Sequence, residues 1–415
     1  MPVLPEGPAS PYLRKRAPVG SSKRTSILQV FLPSTLMSFG LGIIVPAIPH
    51  MAKQFGVSEA FAAQVITAQG LGRVLALMPA GIFVDRIGRR ATMAAGSGLV
   101  AVGGILAAST DSFFVLLFTQ FLWGVGNSVY MVGRELAAVD LIEPHQRGRF
   151  LSILFGLHSA GMAFGPVLGG VLTDRSGLDI LFLVYGGAGF VAMLLALSMK
   201  ETKGTVTAVK ASFLGFGKLS GIDSYYRLTY IILMVVAVSA IMRMAVVNSM
   251  LPLHSDELGY SATEVGSIFL VFSAMSLLIM FPGGWISDKM GRKAAVVPAA
   301  FISAAVFAAL PFTSTLSQIM VLVAFMGIAN GMSLGSLTSY TYDIAPEGGK
   351  GRYQAQRRLF GEFGGFASPI IAGGLLAYMN PGLTFAFFAP VHLLAGVLVL
   401  FLAKESVGPR RKAPM

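Results

Sequence analysis

The chain lacks cysteine entirely, and only 12% of its 415 residues are charged. The missing cysteine excludes disulfides, thiolate metal sites, iron–sulfur clusters and a cysteine nucleophile. The low charge leaves too few polar side chains to cover a soluble protein of this length, because 54% of the residues are hydrophobic. With a mean hydropathy of +0.73, the composition indicates an integral membrane protein.

Long apolar segments recur along the chain, separated by short polar breaks. About 20 apolar residues suffice for a helix to cross a hydrocarbon core of roughly 30 Å. We therefore predict an all-α membrane protein with twelve transmembrane helices, at 27–51, 60–84, 91–109, 112–137, 149–173, 179–199, 228–252, 264–286, 293–312, 316–342, 355–378 and 383–403.

The net charge of +12 is distributed asymmetrically about these spans. Most Lys and Arg residues fall at the termini or in the even-numbered connections, and only Lys53 and Arg175 lie in odd-numbered ones. Because basic residues are retained in cytoplasmic loops, we predict that both termini are cytoplasmic. The positive charge then reflects membrane orientation, and we expect no nucleic-acid partner.

An internal repeat organises the whole sequence. Adding 203 to a position in the first half lands repeatedly on the same residue type, as with Asp85 and Asp288, Asn127 and Asn330. The register holds for some 120 residues without a gap, which chance does not explain. We predict a basic cytoplasmic tail at 1–26, a six-helix bundle at 27–199, a cytoplasmic linker at 200–227, a second bundle at 228–403 and a cytoplasmic tail at 404–415.

Two six-helix repeats of equal orientation are typical of secondary transporters. In such proteins the substrate site lies between the halves near the bilayer midplane, and rocking of the halves gives alternating access. A duplicated bundle that serves as a receptor or scaffold is the alternative.

Two short loops carry a family resemblance. The sequence from Gly81 to Arg90 has the pattern G-x-x-x-D-R-x-G-R-R, and that from Gly284 to Lys293 has the pattern G-x-x-x-D-K-x-G-R-K. Both resemble the loop signature of the major facilitator superfamily, at the two expected connections. The resemblance covers 27–403 and implies the major facilitator fold of two pseudo-symmetric six-helix bundles.

The fifth span resembles the G-x-x-x-G-P-x-x-G-G pattern of antiporters in that superfamily, notably drug:proton exporters. Two features depart from the exporter pattern: Gln120 occupies the place of an expected Arg in the fourth span, and the first span has no acidic residue. Tight packing between the halves is the structural interpretation of the motif, favoured over direct contact with the substrate. The motif consists of Gly161, Gly165, Pro166, Gly169 and Gly170.

The loop signatures also suggest a charge-dependent latch. Arg89 follows Asp85 by one helical turn and lies at the same level as Asp140, so hydrogen bonds between these charges can hold a closed face. In the family such charges stabilise the outward-facing state. The resemblance implies gating roles for Asp85, Arg89, Asp140 and Arg149, and in the second half for Asp288, Arg292, Asp343 and Arg352, with Arg149 and Arg352 as partners across the halves.

Ionisable residues within the spans are functional candidates, because a charge at the centre of a membrane helix costs about 2.5–3.5 kcal/mol. Arg73 and Glu362 lie at similar depth, and the family fold makes their spans neighbours, so they can form an ion pair between the halves. That pair is either structural or part of proton transfer. The candidates for proton coupling are Glu362, Glu135 and His158.

The family fold implies that spans 1, 4, 7 and 10 line a central cavity. A cationic side chain such as Arg243 favours an anionic substrate or a structural carboxylate partner. The candidate substrate contacts are Arg243, Arg73, Asn127, Asn330, Tyr130, Ser38 and Asn248.

The sequence contains no phosphate-binding loop with Lys followed by Ser or Thr, and its five His residues form no recognisable metal site. We expect no enzymatic activity, no metal and no cofactor. The favoured function is proton-coupled efflux of lipophilic or amphipathic small molecules by a monomer, and we predict that the protein lies in a bacterial inner membrane. An organic-anion carrier of the same fold and a non-transporting membrane sensor are the alternatives.

Overall fold

The computed structural model describes residues 21–141, 147–201, 221–346 and 350–407. Apolar surroundings leave backbone N–H and C=O groups no partner except each other, and the described residues accordingly form helices without any strand. The helices are α1 (Ser21–Ile43), α2 (Ile48–Phe55), α3 (Glu59–Ala62), α4 (Gln64–Ala108), α5 (Phe113–Leu141), α6 (Arg147–Ser198), α7 (Arg227–Glu257), α8 (Ala262–Lys289), α9 (Arg292–Ala309), α10 (Leu316–Ile344), α11 (Lys350–Leu375) and α12 (Pro381–Phe401).

Some of these helices correspond to parts of a predicted span and others to two spans. The first span comprises α1 and α2, joined by the short turn Val45–Ala47. Helix α4 contains the second and third spans, which meet at Gly88 (φ 88°), and α6 contains the fifth and sixth, which meet at Gly177 (φ 79°). A positive φ breaks the helix direction and favours glycine, so the chain reverses at these two positions.

Within the described residues, ten segments are long and apolar enough to cross a membrane. One of them, Gly156–Ser198, contains two predicted spans. The span predicted at 355–378, which lies in α11, is not among these apolar segments. Helix α11 carries Arg357, Arg358 and Glu362, which lower its hydropathy. The structure is thus consistent with the predicted fold class of two six-helix halves.

The side chains of Arg149 and Arg352, most of the linker (202–220) and the outer parts of both tails (1–20 and 408–415) lie outside the described part. The proposed domain boundaries and the cross-half roles of these two arginines therefore stay predictions. Within the described part, each half has its own apolar core, centred on Trp123 and Tyr185 in the first half and on Tyr230 and Tyr340 in the second.

A third apolar core is shared by the two halves. Ile48, Ala52 and Ile66 from α2 and α4 pack with Val246 and Met250 of α7. These residues lie toward the end of the molecule that is opposite the termini, which we call the distal end. The end that carries the termini is the tail end. The shared core closes the distal end of the interface between the halves.

Two equivalent seams also join the halves. Helix α6 contacts α8, where a Cβ at Gly170 would lie 2.2 Å from the carbonyl oxygen of Ala262. Helix α11 contacts α3 and α4, where a Cβ at Gly373 would lie 3.0 Å from the carbonyl oxygen of Ala60. Gly373 is the repeat counterpart of Gly170, as expected for halves related by a pseudo-twofold axis along the membrane normal.

The interpretation of the glycine motif as packing between halves is only partly right. Added Cβ atoms at Gly161, Gly165 and Gly169 would collide with α1, at 2.4 Å from Ser38 Oγ, 2.5 Å from Phe39 O and 2.0 Å from Ile43 O. These three glycines therefore pack α6 against α1 inside the first half. The correction follows from their spacing of four residues, which places them on one face of α6, while Gly170 lies on another.

Candidate functional site

A small cavity lies between the two halves. Its volume is about 40 Å³, enough for roughly three water molecules. Helices α4 and α5 of the first half and α11 of the second provide its walls, so relative movement of the halves must change it. The lining residues are Arg73, Leu77, Asn127, Ser128, Met131, Val132, Glu135, Arg358 and Glu362.

Arg73 and Glu362 form an ion pair across this cavity. Arg73 Nε lies 3.6 Å from Glu362 Oε2, and the two side chains are only 23% and 16% exposed. Ser128 Oγ donates a hydrogen bond of 3.0 Å to the Arg73 carbonyl, which holds α5 against α4 at this level. The ion pair therefore links the two halves electrostatically at the central cavity, between α4 and α11.

A second pair of charges lies on α5. Arg134 Nη2 lies 3.9 Å from Glu135 Oε1; Arg134 is fully buried, whereas Glu135 lines the cavity. Neither Arg134 nor Arg358 was singled out from the sequence as a site residue. Both could have been found by applying the rule for intramembrane charges to every ionisable residue in α5 and α11.

The polar candidates of the first half divide into two groups. Asn127 lines the cavity. Tyr130 and Ser38 do not: both are buried, the Tyr130 hydroxyl lies 3.3 Å from Ser34 Oγ, and Ser38 Oγ donates to the Ser34 carbonyl at 2.8 Å. In this conformation Tyr130 is buried where α5 meets α1, and Ser38 is buried where α1 packs against α6, so neither lines the cavity. Their roles as substrate contacts stay predictions.

Arg243 is also enclosed within its own half. Only 3% of Arg243 is exposed, and its guanidinium donates to Ser303 Oγ (2.8 Å), Asn330 Oδ1 (3.0 Å) and Ser333 Oγ (3.2 Å). Asn330 Nδ2 in turn donates to Ser276 Oγ at 2.9 Å. Arg243 and Asn330 therefore bind each other between α7, α9 and α10 and do not line the cavity in this conformation.

The two remaining candidates also lie away from the cavity lining. Asn248 is partly buried on α7, and His158 is partly buried on α6. His158 Nδ1 has no hydrogen-bond partner among the described residues. Gln120, which replaces the family's Arg, accepts a 2.9 Å hydrogen bond from Gln69 and thereby joins α5 to α4 with neutral groups.

The tail-end charges form one cluster in each half. In the first half, Arg89 Nε donates to Asp140 Oδ2 at 2.9 Å, with both side chains 7% exposed. In the second, Arg292 Nε donates to Asp343 Oδ2 at 2.8 Å, and Arg292 also binds Asp288. Asp85 precedes Arg89 by four residues, on the other side of the break in α4 at Gly88.

Sequence analysis missed a glutamate in each cluster. Glu201 Oε1 accepts from the Arg89 backbone N–H at 2.8 Å, and Glu405 accepts from those of Arg292 and Lys293 at 2.9 and 3.0 Å. Each carboxylate thereby ties the end of its half to the start of the helix that follows the loop signature. The available signal was the Lys-Glu dipeptide, which occurs at 200–201 and again at 404–405.

No group of His, Asp and Glu suited to holding a metal ion occurs in the part of the chain that the structure describes. The polar side chains around the cavity are two carboxylates, two guanidinium groups, one amide and one hydroxyl, that of Ser128. Such groups can bind a proton, water or a charged solute, and they include no nucleophile with an adjacent base.

Comparison with known proteins agrees with this geometry. The family model described as Major Facilitator Superfamily matches residues 30–221 and 232–414. The Multidrug resistance protein MdtH of Aeromonas salmonicida is 24% identical over 361 residues, covering 84% of this chain and 87% of the relative. The Quinolone resistance protein NorA of Staphylococcus aureus is 21% identical over 384 residues, covering 89% and 94%.

Solved structures show the same fold. A D-xylose-proton symporter superposes with a TM-score of 0.73 at 16% identity and covers 94% of this chain and 100% of its own. The human organic anion transporter MFSD10 gives a TM-score of 0.66 at 17% identity, with coverage of 92% and 100%. With the family model spanning both halves, the chain belongs to the major facilitator superfamily and is a multi-pass membrane transporter, not an enzyme.

Proposed function

We propose that this transporter expels lipophilic or amphipathic compounds in exchange for protons, by alternating access. The observation that carries the proposal is the Arg73–Glu362 ion pair, which spans the halves at 3.6 Å beside a second carboxylate, Glu135. A titratable group that pairs across a moving interface can convert proton binding into movement. The names of the relatives MdtH and NorA, a multidrug and a quinolone resistance protein, support efflux.

The coupling follows from charge. While Glu362 is ionised, its attraction to Arg73 holds α11 against α4. A proton on the Glu362 carboxylate removes this attraction and leaves Arg73 as an unpaired cation in a small cavity, which favours separation or rearrangement of the halves. Release of the proton on the other side restores the pair.

The present conformation is closed at the distal end by the shared apolar core. We infer that both termini face the cytoplasm, so that this state is closed toward the outside. The basic tail-end loops support that orientation. Bacterial relatives support a place in the inner membrane, and the protein acts as a monomer because each chain contains both halves of the site.

The test uses purified protein in proteoliposomes with an imposed pH gradient and a fluorescent lipophilic cation. We expect gradient-driven flux by the native chain and a loss of at least about tenfold in Glu362→Gln, which cannot release a proton. Glu257→Gln is the matched control, because Glu257 lies at the distal end, 43% exposed and away from the cavity.

Binding of the compound to Glu362→Gln, measured by fluorescence quenching, separates coupling from folding. Retained binding with lost gradient dependence supports the proposal. Gradient-driven flux in Glu362→Gln equal to that in the native chain contradicts it.

A second candidate is transport of an organic anion. Arg73 and Arg358 line the cavity, and the buried Arg134 adds a third cation near it. Such a surplus of guanidinium groups favours a carboxylate or phosphate. In the same proteoliposomes, accumulation of a carboxylate dye that is lost in Arg358→Gln, without flux of the lipophilic cation, identifies this function instead.

A further inference from the structure

The distal end of the interface is joined by hydrogen bonds that differ on its two sides. On one side, Asp174, which lies just before the break of α6 at Gly177, binds the N-terminus of α8. Asp174 Oδ1 accepts from the Ala262 N–H at 3.1 Å, and Oδ2 accepts from the Thr263 N–H at 2.8 Å and from Thr263 Oγ1 at 2.6 Å. The carboxylate belongs to one half and all three donors belong to the other.

These bonds are strong for an exposed position. The first turn of a helix has free N–H groups and a partial positive charge, both of which favour a carboxylate. Helix α8 already has its own cap, since Ser261 and Glu264 form a capping box. Asp174 satisfies further N–H groups of the same turn, so it adds a contact between the halves to the capping that α8 already has.

The repeat does not reproduce this contact on the other side. The counterpart of Asp174 is Ala377, which has no carboxylate, and the counterpart of Ala262 is Glu59. Among the residues that the structure describes, the link on that side is one hydrogen bond of 3.3 Å, from Gln64 Nε2 to the Pro369 carbonyl. Asp174 therefore breaks the pseudo-symmetry of the distal end. Arg73 and Glu362 break it at the centre, because their counterparts at the 203-residue offset are Ser276 and Ser159.

A further ion pair lies close to the pseudo-twofold axis. Lys53 and Asp256 are exactly 203 residues apart, so they occupy equivalent positions in the two halves, and Lys53 Nζ lies 2.7 Å from Asp256 Oδ1. Lys53 is 65% exposed, so solvent screens this pair and it contributes little by itself.

We propose that Asp174 is the principal polar latch of the distal end, and that release of its carboxylate from α8 is required for that end to open. The proposal rests on the alternating-access mechanism proposed above. Loss of three charge-assisted hydrogen bonds lowers the cost of opening, so the latch sets the ratio of distal-open to distal-closed molecules. It acts at a seam that is separate from the proton-binding carboxylates.

The test measures conformation directly. Because the chain has no cysteine, Ser112→Cys and Ser314→Cys can be introduced and spin-labelled without removing any native thiol. Both serines are exposed in distal loops, one in each half. Pulsed electron–electron double resonance then gives the distribution of distances between the two spin labels, with the protein in lipid nanodiscs.

In Asp174→Ala we expect the ratio of long to short distances to rise about tenfold, and in Asp174→Asn by less, because the amide oxygen still accepts a neutral hydrogen bond. The matched control is Asp179→Asn, which removes the same charge five residues away at an exposed position. Its distribution is expected to equal that of the parent. Thr263→Ala, which removes only the hydroxyl donor, is expected to give a small shift in the same direction.

An unchanged distribution in Asp174→Ala overturns the latch, as does an equal shift in Asp179→Asn. If Asp174→Ala does not fold, the Asp174→Asn and Thr263→Ala distributions decide the question. If the distances shift in Asp174→Ala but the native chain shows no proton-driven efflux, the proposed coupling is rejected and the latch is retained. Proton-driven efflux with unshifted distances rejects the latch alone.

Discussion

At the scale of single residues, Arg73 and Arg243 show two ways in which a charged side chain is accommodated among membrane helices. Arg73 has a carboxylate partner across the interface, whereas Arg243 is held by two hydroxyls and an amide, and its Nε has no hydrogen-bond partner among the described residues. A buried cation without a carboxylate is costly, so its neutral partners must be placed accurately to compensate. The sequence identified Arg243 as unusual, but its direction, inward to α9 and α10, depends on side-chain packing.

We expect Arg243→Ala to destabilise the second half by about 2 kcal/mol, because Asn330, Ser303 and Ser333 lose their donor while buried. Thermal unfolding in detergent, followed by tryptophan fluorescence or by aggregation, provides the measurement. Arg243→Lys is the control, since it keeps a charge and donors and should lose less. If Arg243→Ala is as stable as the native chain but no longer binds the substrate, Arg243 is instead a substrate contact.

At the scale of elements, α6 packs two different faces against two neighbours. The face with Gly161, Gly165 and Gly169 packs on α1, while Gly170 and the Pro166 carbonyl contact α8 of the other half. A Cβ at Gly266 of α8 would lie 2.5 Å from the Pro166 carbonyl, so both helices keep a glycine in this seam. One glycine-rich sequence therefore serves both internal packing and the interface.

These faces predict different mutant behaviour. We expect Gly165→Val to lower stability by about 1–3 kcal/mol, because the side chain meets the Phe39 carbonyl inside a packed half. We expect Gly170→Val to leave each half folded but to oppose distal closure, since it meets the backbone of α8 at 2.2 Å. Thermal unfolding and the spin-label distances distinguish the two effects.

Gly374 provides the control for both variants, because an added Cβ there meets nothing within 4 Å. Gly374→Ala should match the parent in both measurements. Equal loss of stability in Gly165→Val and Gly170→Val, with no change in distances, would refute the division of α6 into two faces.

At the scale of the whole molecule, the start of α1 and the end of α12 lie at the same end of the structure, the tail end. The repeat of two equally oriented halves requires this, and the described helices fulfil it with α1 and α12 sharing the tail end. Closure at the distal end combines the shared apolar core with the α6–α8 and α11–α3 seams. The basic loops support the proposal that the tail end faces the cytoplasm.

We expect Ser112→Cys in intact bacterial cells to react with a membrane-impermeant maleimide, and Ser224→Cys to react only after permeabilisation. Both serines are exposed, Ser112 at the distal end and Ser224 at the tail end. The readout is a mass shift on a gel. The reverse labelling pattern would invert the predicted topology, and with it the direction of efflux.

Sequence patterns alone determined the membrane class, the span order, the repeat and the family, because hydrophobic length, charge asymmetry and a constant 203-residue offset are local or periodic signals. They also identified Arg73 and Glu362 as partners once the family arrangement was known. Only the tertiary structure decided which polar side chains face the cavity: it buried Tyr130, Ser38 and Arg243, and it brought Asp174 to α8 and Glu201 to Arg89. Such contacts join residues far apart in the chain through helix rotation and side-chain direction, which short-range sequence patterns do not encode.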